Sequence, residues 1–209
     1  MDTRTDIING ALDYLDEPEV RGELDSADLV GRPLQSAAVR RYAGARDDLL
    51  RRRQWNWASR YEIFPAYNGP ASEREAEFTT LIELPANLIK VIGVNDDPEL
   101  RWARRAGEAE QAAGLLAVNA EAPVKLRYVA RIDEALMPAD FKEAIAAHLA
   151  VLISARASDM FATTRQQIEQ SAIRLYRQAA MNDGAEGGAA LTRPFSEEAS
   201  PMLREAFGY

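Results

Sequence analysis

Three consecutive arginines run directly into two tryptophans in the stretch RRRQWNW, which spans Arg51 to Trp57. Guanidinium groups bind phosphates and indole rings stack on bases, so this combination is typical of a nucleic-acid-binding surface. The same residue types also occur at the end of a helix whose rings are buried and whose arginines face water. The stretch alone leaves both interpretations open.

Residues that could support catalysis or bind a metal are few in the rest of the chain. His148 is the only histidine, and its setting among alanines and leucines favours a packed or surface histidine over a catalytic base. The pairs Asp47-Asp48 and Asp96-Asp97 carry the oxygen ligands that Mg²⁺ prefers, but helix-surface and turn chemistry explains both pairs. There is no cysteine, no glycine-rich phosphate motif and no nucleophile beside a base. We therefore predict no enzyme activity, no metal site and no cofactor.

The charge of the chain is unevenly distributed. The net charge is −8 and the isoelectric point lies near 4.9, which argues against a protein whose main task is to bind phosphates. Between Gly31 and Arg60, however, eight arginines stand against two aspartates. Such asymmetry suits a protein that meets other surfaces, or copies of itself, through complementary faces.

Hydrophobic residues recur at helical spacing in four stretches, two near each end of the chain. The first is TDIINGALDYLDE, where we expect Thr5 to cap the helix. A longer helix is predicted from Pro33, a proline suited to the first turn, to about Ser59. Two further helices are predicted over Ala139 to Ala157 and over Met160 to about Met181.

The pattern changes from helical to alternating after Arg60. Short runs rich in β-branched and aromatic residues are separated by turn-forming breaks, which indicates five or six strands of a small antiparallel sheet or barrel. The runs are YEIFPAY, EFTTLIELP, LIKVIGV, LRWARR, LLAVNA and PVKLRYVARI. No run of apolar residues is long enough to predict a membrane-spanning helix.

These elements predict an α+β fold with a bundle of about four α-helices, two N-terminal and two C-terminal. Residues 1–59 and 136–182 would form the bundle, and residues 60–135 an inserted β module. Residues 183–209 would form an extended, flexible C-terminal tail with AEGGAA as its joint. That tail is interpreted either as a disordered terminus or as a segment that orders on a partner, because it carries several apolar anchors. The anchors are Leu191, Phe195, Met202, Leu203, Phe207 and Tyr209.

Four strings, in order along the chain, carry a resemblance to a known family. They are IINGALDYLDE, DDLLRRRQWNWASR, IELPANLIKVIGVN and APVKLRYVARIDEALMPADFKEAIAAHLAVLIS. Their order resembles the tail tubular protein A family of short-tailed bacteriophages, the adaptor or gatekeeper proteins that complete the head beneath the portal. The chain departs from that pattern at Trp57, where phenylalanine is more usual, and at Asp16, where glycine is commoner.

The resemblance implies a structural virion protein at the head–tail junction. Family members form a dodecameric ring that docks on the portal, presents a second surface to the tail nozzle or another tail protein, and lets genomic DNA pass without sequence-specific binding. The resemblance makes four aromatic residues structural and gives five arginines to subunit or channel contacts. The tail is the part least comparable with the family, and its composition predicts portal or neighbour docking. The aromatic residues are Trp55, Trp57, Tyr128 and Phe141; the arginines are Arg40, Arg41, Arg51, Arg52 and Arg53; the docking anchors are Phe195, Met202, Leu203, Phe207 and Tyr209.

Three other functions compete with this interpretation. A head-completion or stopper protein of a long-tailed phage would have a similar helical bundle and a different downstream partner. A DNA-binding regulatory protein would use Arg40-Arg41 and the arginine triplet, and it predicts steeply salt-dependent binding of duplex DNA by the monomer. A lytic enzyme of the tail would need a catalytic carboxylate, and no candidate carboxylate stands out in the sequence.

Overall fold

The structure, a computed structural model, describes residues 3–20, 32–68, 77–105, 114–155 and 162–186. Four helices contain most of the described residues outside the β module: α1 (Thr3–Asp13), α2 (Pro33–Arg52), α3 (Ala139–Ser154) and α4 (Ala162–Glu186). A short 3-10 helix, Glu134–Leu136, precedes α3. Among these helices, none is long and apolar enough to cross a membrane.

Helix α3 lies at the centre of the bundle and packs against each of the other three helices. From Ala144 to Ile153 every residue except His148 is apolar, so α3 can bury several faces at once. The small residues permit close approach: a Cβ added to Gly10 on α1 would lie 3.4 Å from the Cβ of Ala146 on α3. This helix therefore positions the residues around which the other elements assemble.

Six strands form two three-stranded antiparallel sheets. The first sheet has the order β1-β6-β3, and the second has the order β2-β5-β4. Their buried residues belong to the same hydrophobic cluster as the helices. The strands are β1 (Ser59–Phe64), β2 (Thr80–Glu83), β3 (Leu88–Val94), β4 (Trp102–Arg105), β5 (Leu115–Val118) and β6 (Val124–Ala130).

The predicted fold class is confirmed, since four helices accompany a small antiparallel β module. The predicted cap is wrong, because Thr5 lies inside α1. The predicted end of α2 near Ser59 is also wrong, because the helix ends at Arg52 and Arg53 is extended. At about 100° per residue, a continuing helix would turn Trp55 about 140° away from the buried Tyr42. Ending the helix early returns that ring to the core.

The C-terminal boundary of the bundle also lies later than predicted. Helix α4 runs to Glu186, so the first four residues assigned to a flexible tail are helical. The reason is a tertiary contact, because the buried side chain of Asp183 bonds to Asn56. The remainder of the predicted tail, with the anchors Leu191, Phe195, Met202, Leu203, Phe207 and Tyr209, lies outside the described residues.

Candidate functional site

The two tryptophans of RRRQWNW belong to a cluster of aromatic rings at the junction of α2, α3 and α4. Trp55 is 0% exposed, and its Nε1 donates a hydrogen bond to the carbonyl of Leu49 at 3.0 Å. Its ring centroid lies 4.7 Å from that of Phe141 and 5.8 Å from that of Tyr176, both in edge-to-face geometry. The Trp57 ring, partly buried, lies 4.9 Å from Phe141. Buried rings of this kind stabilise a core and cannot stack on nucleic-acid bases.

Two of the three consecutive arginines are held by carboxylates. Arg52 contacts Asp48 one helical turn earlier, with Nη2 2.6 Å from Oδ2. Arg53 lies with its Nε 3.6 Å from Oδ2 of Asp183, and its guanidinium carbon is 5.9 Å from the centroid of the Trp55 ring. Both arginines are therefore engaged within the chain itself.

The other three arginines of interest lie on the outside of α2. Arg40, Arg41 and Arg51 are exposed, and Nη1 of Arg41 donates to the carbonyl of Leu152 at 3.3 Å. Arg40 and Arg51 form no side-chain ion pair with any other described residue. They are eleven residues apart, so they share one face of the helix, separated by roughly 16 Å along its axis. These two arginines remain accessible to a partner.

The adjacent residues Asp47 and Asp48 serve different partners. Oδ1 of Asp47 lies 3.0 Å from Nε of Arg46 and its Oδ2 lies 2.6 Å from Nη2 of Arg131. Oδ2 of Asp48 lies 2.9 Å from Nε2 of His148. In the described parts of the chain, no group of three or more His, Cys, Asp or Glu side chains is placed to hold a metal ion.

Hydrogen bonds set the ionisation of both carboxyls. The bond from His148 is the main cause that lowers the pKa of Asp48 to about 2, with Arg52 adding to it and burial opposing it. Burial opposes the charged form of Asp47 as well, but hydrogen bonds from Arg131 and Arg46 outweigh burial and lower its pKa. His148, which was predicted to be a packed or surface histidine, is a nearly buried partner that joins α3 to α2.

A second polar network, which the sequence did not indicate, ties α2 to the segment before α3. Tyr42 is buried, and its hydroxyl donates to Oε1 of Glu134 at 3.1 Å. Nη1 of Arg46 contacts the same oxygen at 2.5 Å. Burial, followed by the charge of Glu134, raises the pKa of Tyr42, so the phenol stays protonated and acts as a donor.

The start of the first sheet is fastened to the end of α4 by Asp183. Its Oδ1 accepts from the backbone N–H of Asn56 at 2.8 Å, and its backbone carbonyl accepts from Nδ2 of Asn56 at 2.7 Å. The side chain is 3% exposed, and burial raises the pKa of this carboxyl. The contact joins residues 127 positions apart, so sequence patterns carried no signal for it.

One side of the sheet β1-β6-β3 is exposed and combines apolar with basic residues. Tyr61 and Ile63 on β1 are each 65% exposed. Across the ladder, Tyr61 pairs with Arg127 and Ile63 pairs with Lys125, which places the four residues on the same face. The Arg127 guanidinium carbon lies 5.1 Å from the centroid of the Tyr61 ring. We call Tyr61, Ile63, Lys125 and Arg127 the outer sheet face.

The four residues predicted to be structural lie in the packed interior: Trp55, Tyr128 and Phe141 are buried, and Trp57 packs against the core. The structure does not bring the five arginines into one patch, because Arg52 and Arg53 turn towards carboxylates while Arg40 and Arg51 face outward. No model of a known protein family matches the chain, and no curated protein sequence matches it either.

Proposed function

We propose that this chain is a structural subunit of a bacteriophage virion, a head-to-tail adaptor. In this proposal, copies of the chain form a ring, dodecameric by resemblance, beneath the portal protein. The ring connects the portal to the tail nozzle or another tail protein and lines the channel through which genomic DNA leaves. The chain would be assembled in the host cytoplasm and would act without a cofactor and without enzymatic activity.

The observation that supports the proposal best is the place of the four family-like strings in the fold. They meet in one core: Gly10 of the first string approaches Ala146 of the fourth, and Trp55 of the second packs on Phe141 of the fourth. The third string contributes Leu88 to the same hydrophobic cluster. Strings that reflect a common structural framework are expected to meet in a core, as these do. Strings shared by an enzyme family are expected to meet at a polar site.

The turn after α1 gives separate support. Asp16, at the position where the family more often has glycine, has φ of 54°. This left-handed conformation favours glycine and is tolerated best by Asn and Asp among other residues. The departure from the family pattern at Asp16 therefore fits the same turn shape.

The charges favour an adaptor over a DNA-binding regulator. Arg52 and Arg53 are paired within the chain, Trp55 is buried and Trp57 packs against the core, so RRRQWNW does not form an open nucleic-acid-binding surface. Arg40 and Arg51 would instead contact a neighbouring subunit or face the channel. A net charge of −8 also suits a channel through which DNA must slide without being held.

The test is to mix the purified chain with the portal protein of the same phage, determine the mass of the product and image it. We expect a ring of this chain stacked on the portal. A chain that fails to bind the portal, and instead binds duplex DNA with a steep dependence on salt, would contradict the proposal and support the regulator.

A second experiment addresses the C-terminal segment. Deleting residues 190–209 should abolish attachment to the portal while circular dichroism and thermal unfolding stay unchanged, since the described core ends at Glu186. A matched control replaces Glu186, exposed at the end of α4, by alanine in the full chain. Attachment that survives the deletion would rule out a docking role for the segment and leave the ring contacts to α2 and the sheets.

A further inference from the structure

The outer sheet face has two apolar side chains on an edge strand and two cations on the strand beside it. Strand β1 pairs only with β6 within the described residues, so Tyr61 and Ile63 lie at the margin of the sheet. On the far strand, Gly93 pairs opposite Arg127, and a Cβ added there would meet no atom within 4 Å. The result is a shallow, open surface that is apolar along one side and basic along its middle.

Exposed apolar side chains on an edge strand need a cover or a partner, because bare edges invite association. The neighbouring cations define the chemistry of a suitable partner. A segment that carries both aromatic side chains and carboxylates would bury Tyr61 and Ile63 and pair with Lys125 and Arg127.

The chain itself supplies such a segment close to this face. Helix α4 ends at Glu186, which lines a small cavity together with Trp57. Strand β1 begins at Ser59, two residues after Trp57. The described end of α4 therefore lies near the residues that lead into β1.

The length and composition of residues 187–209 match the face. Phe195 lies nine positions after Glu186, enough for a reach of up to roughly 30 Å. Along β1, Ile63 lies only about 13 Å from Ser59. The segment from Phe195 to Tyr209 holds three glutamates and one arginine. It is acidic where the face is basic, and it carries the aromatic residues Phe195, Phe207 and Tyr209.

We propose that, in the free subunit, residues 195–209 bind the outer sheet face of their own chain. Aromatic side chains of the segment pack on Tyr61 and Ile63, and its glutamates pair with Lys125 and Arg127. This inference goes beyond the adaptor function, since it concerns the subunit before any portal is met. This contact covers the docking anchors of the segment until a partner competes for them.

The absence of cysteine permits a direct test in the full-length chain. Cysteines are introduced as Ile63→Cys with Phe195→Cys, and disulfide formation is followed by mass spectrometry under mild oxidation at low protein concentration. The control pairs Leu136→Cys with Phe195→Cys. Leu136 is 73% exposed and lies two residues before Pro138, which lines the same cavity as Glu186, so a freely moving segment would reach it about as easily.

We expect the pair at Ile63 to close within one chain at least about tenfold faster than the control, because binding raises the effective concentration. Adding Glu197→Lys and Glu198→Lys should slow it towards the control rate. Equal rates for the two pairs would overturn the proposal, and so would disulfide-linked dimers as the main product, which would place the segment on a second copy. Unchanged thermal unfolding of each variant verifies that the fold is retained.

Discussion

Trp55 and Tyr61 lie six residues apart, and each has a guanidinium group near its ring, but their environments are opposite. Arg53 lies over Trp55 at 5.9 Å and Arg127 over Tyr61 at 5.1 Å. Trp55 is 0% exposed because Phe141 and other rings cover it, whereas Tyr61 is 65% exposed. An arginine beside an aromatic ring therefore says little about function. What covers the rest of the ring decides whether the pair is structural or is available to a partner.

The largest effect is expected at Trp55, and it tests the comparison between Trp55 and Tyr61 most directly. Trp55→Ala should lower the free energy of unfolding by roughly 3–5 kcal/mol, because it empties a buried site and removes the bond to Leu49. Tyr61→Ala, the matched variant, should cost less than about 1 kcal/mol. Urea unfolding of both variants, each made in the chain that lacks residues 190–209, measures the difference. Similar losses would mean that the ring of Tyr61 is covered in solution.

The second prediction concerns the contact that fixes the chain after Trp55. Asp183→Ala should cost about 1–3 kcal/mol, since the N–H of Asn56 and the guanidinium of Arg53 lose a buried acceptor. Glu186→Ala, at an exposed position of the same helix, should change stability little. Equal unfolding midpoints for the two variants would show that α4 does not hold the helix end in place.

The third prediction uses pH to test Asp48, the carboxylate that contacts His148 and Arg52. The lowered pKa of Asp48 means that its contribution to stability is present above about pH 4 and is lost as pH falls towards about 2. In Asp48→Asn this acid-dependent loss should shrink by roughly 1 kcal/mol or less, because a carboxylate that is 47% exposed is screened by solvent. Urea unfolding at pH 7 and pH 3 checks it. A steeper acid loss in the variant would contradict the assignment.

The smallest effect is expected on the outer sheet face. In the chain that lacks residues 190–209, Ile63→Ser should change the free energy of unfolding by no more than about 0.5 kcal/mol, because the described residues leave this side chain exposed. Ile82→Ser, at a fully buried position on β2, should be strongly destabilising by contrast. If Ile63→Ser destabilised the full-length chain to a similar extent, Ile63 would have to be packed against something that covers it.

Periodicity was sufficient to predict the helices and strands, because apolar residues recur at every third or fourth position near both ends of the chain and at alternate positions between them. The structural role of Trp55 was predicted from the resemblance, since the helix predicted to Ser59 would have turned this ring away from the core. The end of α2 could not be predicted, since RRRQWNWAS contains no glycine or proline and the turn at Arg53 depends on the distant Asp183. Likewise, the alternation in β1 predicts a strand but not that Tyr61 and Ile63 lie on an open face.

The pairings between elements were equally out of reach. Asp48 and His148 are separated by 100 residues, and nothing in either local pattern fixes how α2 and α3 are aligned along their length. That alignment depends on the packing of the side chains between the helices. The same distinction applies to the candidate functions. Local patterns predict the elements of the fold, whereas the proposed partners depend on surfaces that no local pattern defines.

The two hydrogen bonds between Asp183 and Asn56 also determine how the molecule would carry mechanical load. Tension applied to the chain beyond Glu186 would act first on the last turn of α4. In that turn, the side chain and the backbone carbonyl of Asp183 each accept a hydrogen bond from Asn56. The pull is thereby shared with the residues that lead into β1. These two hydrogen bonds would oppose unwinding of α4 from Glu186, so a load applied beyond that residue would be transmitted to the core.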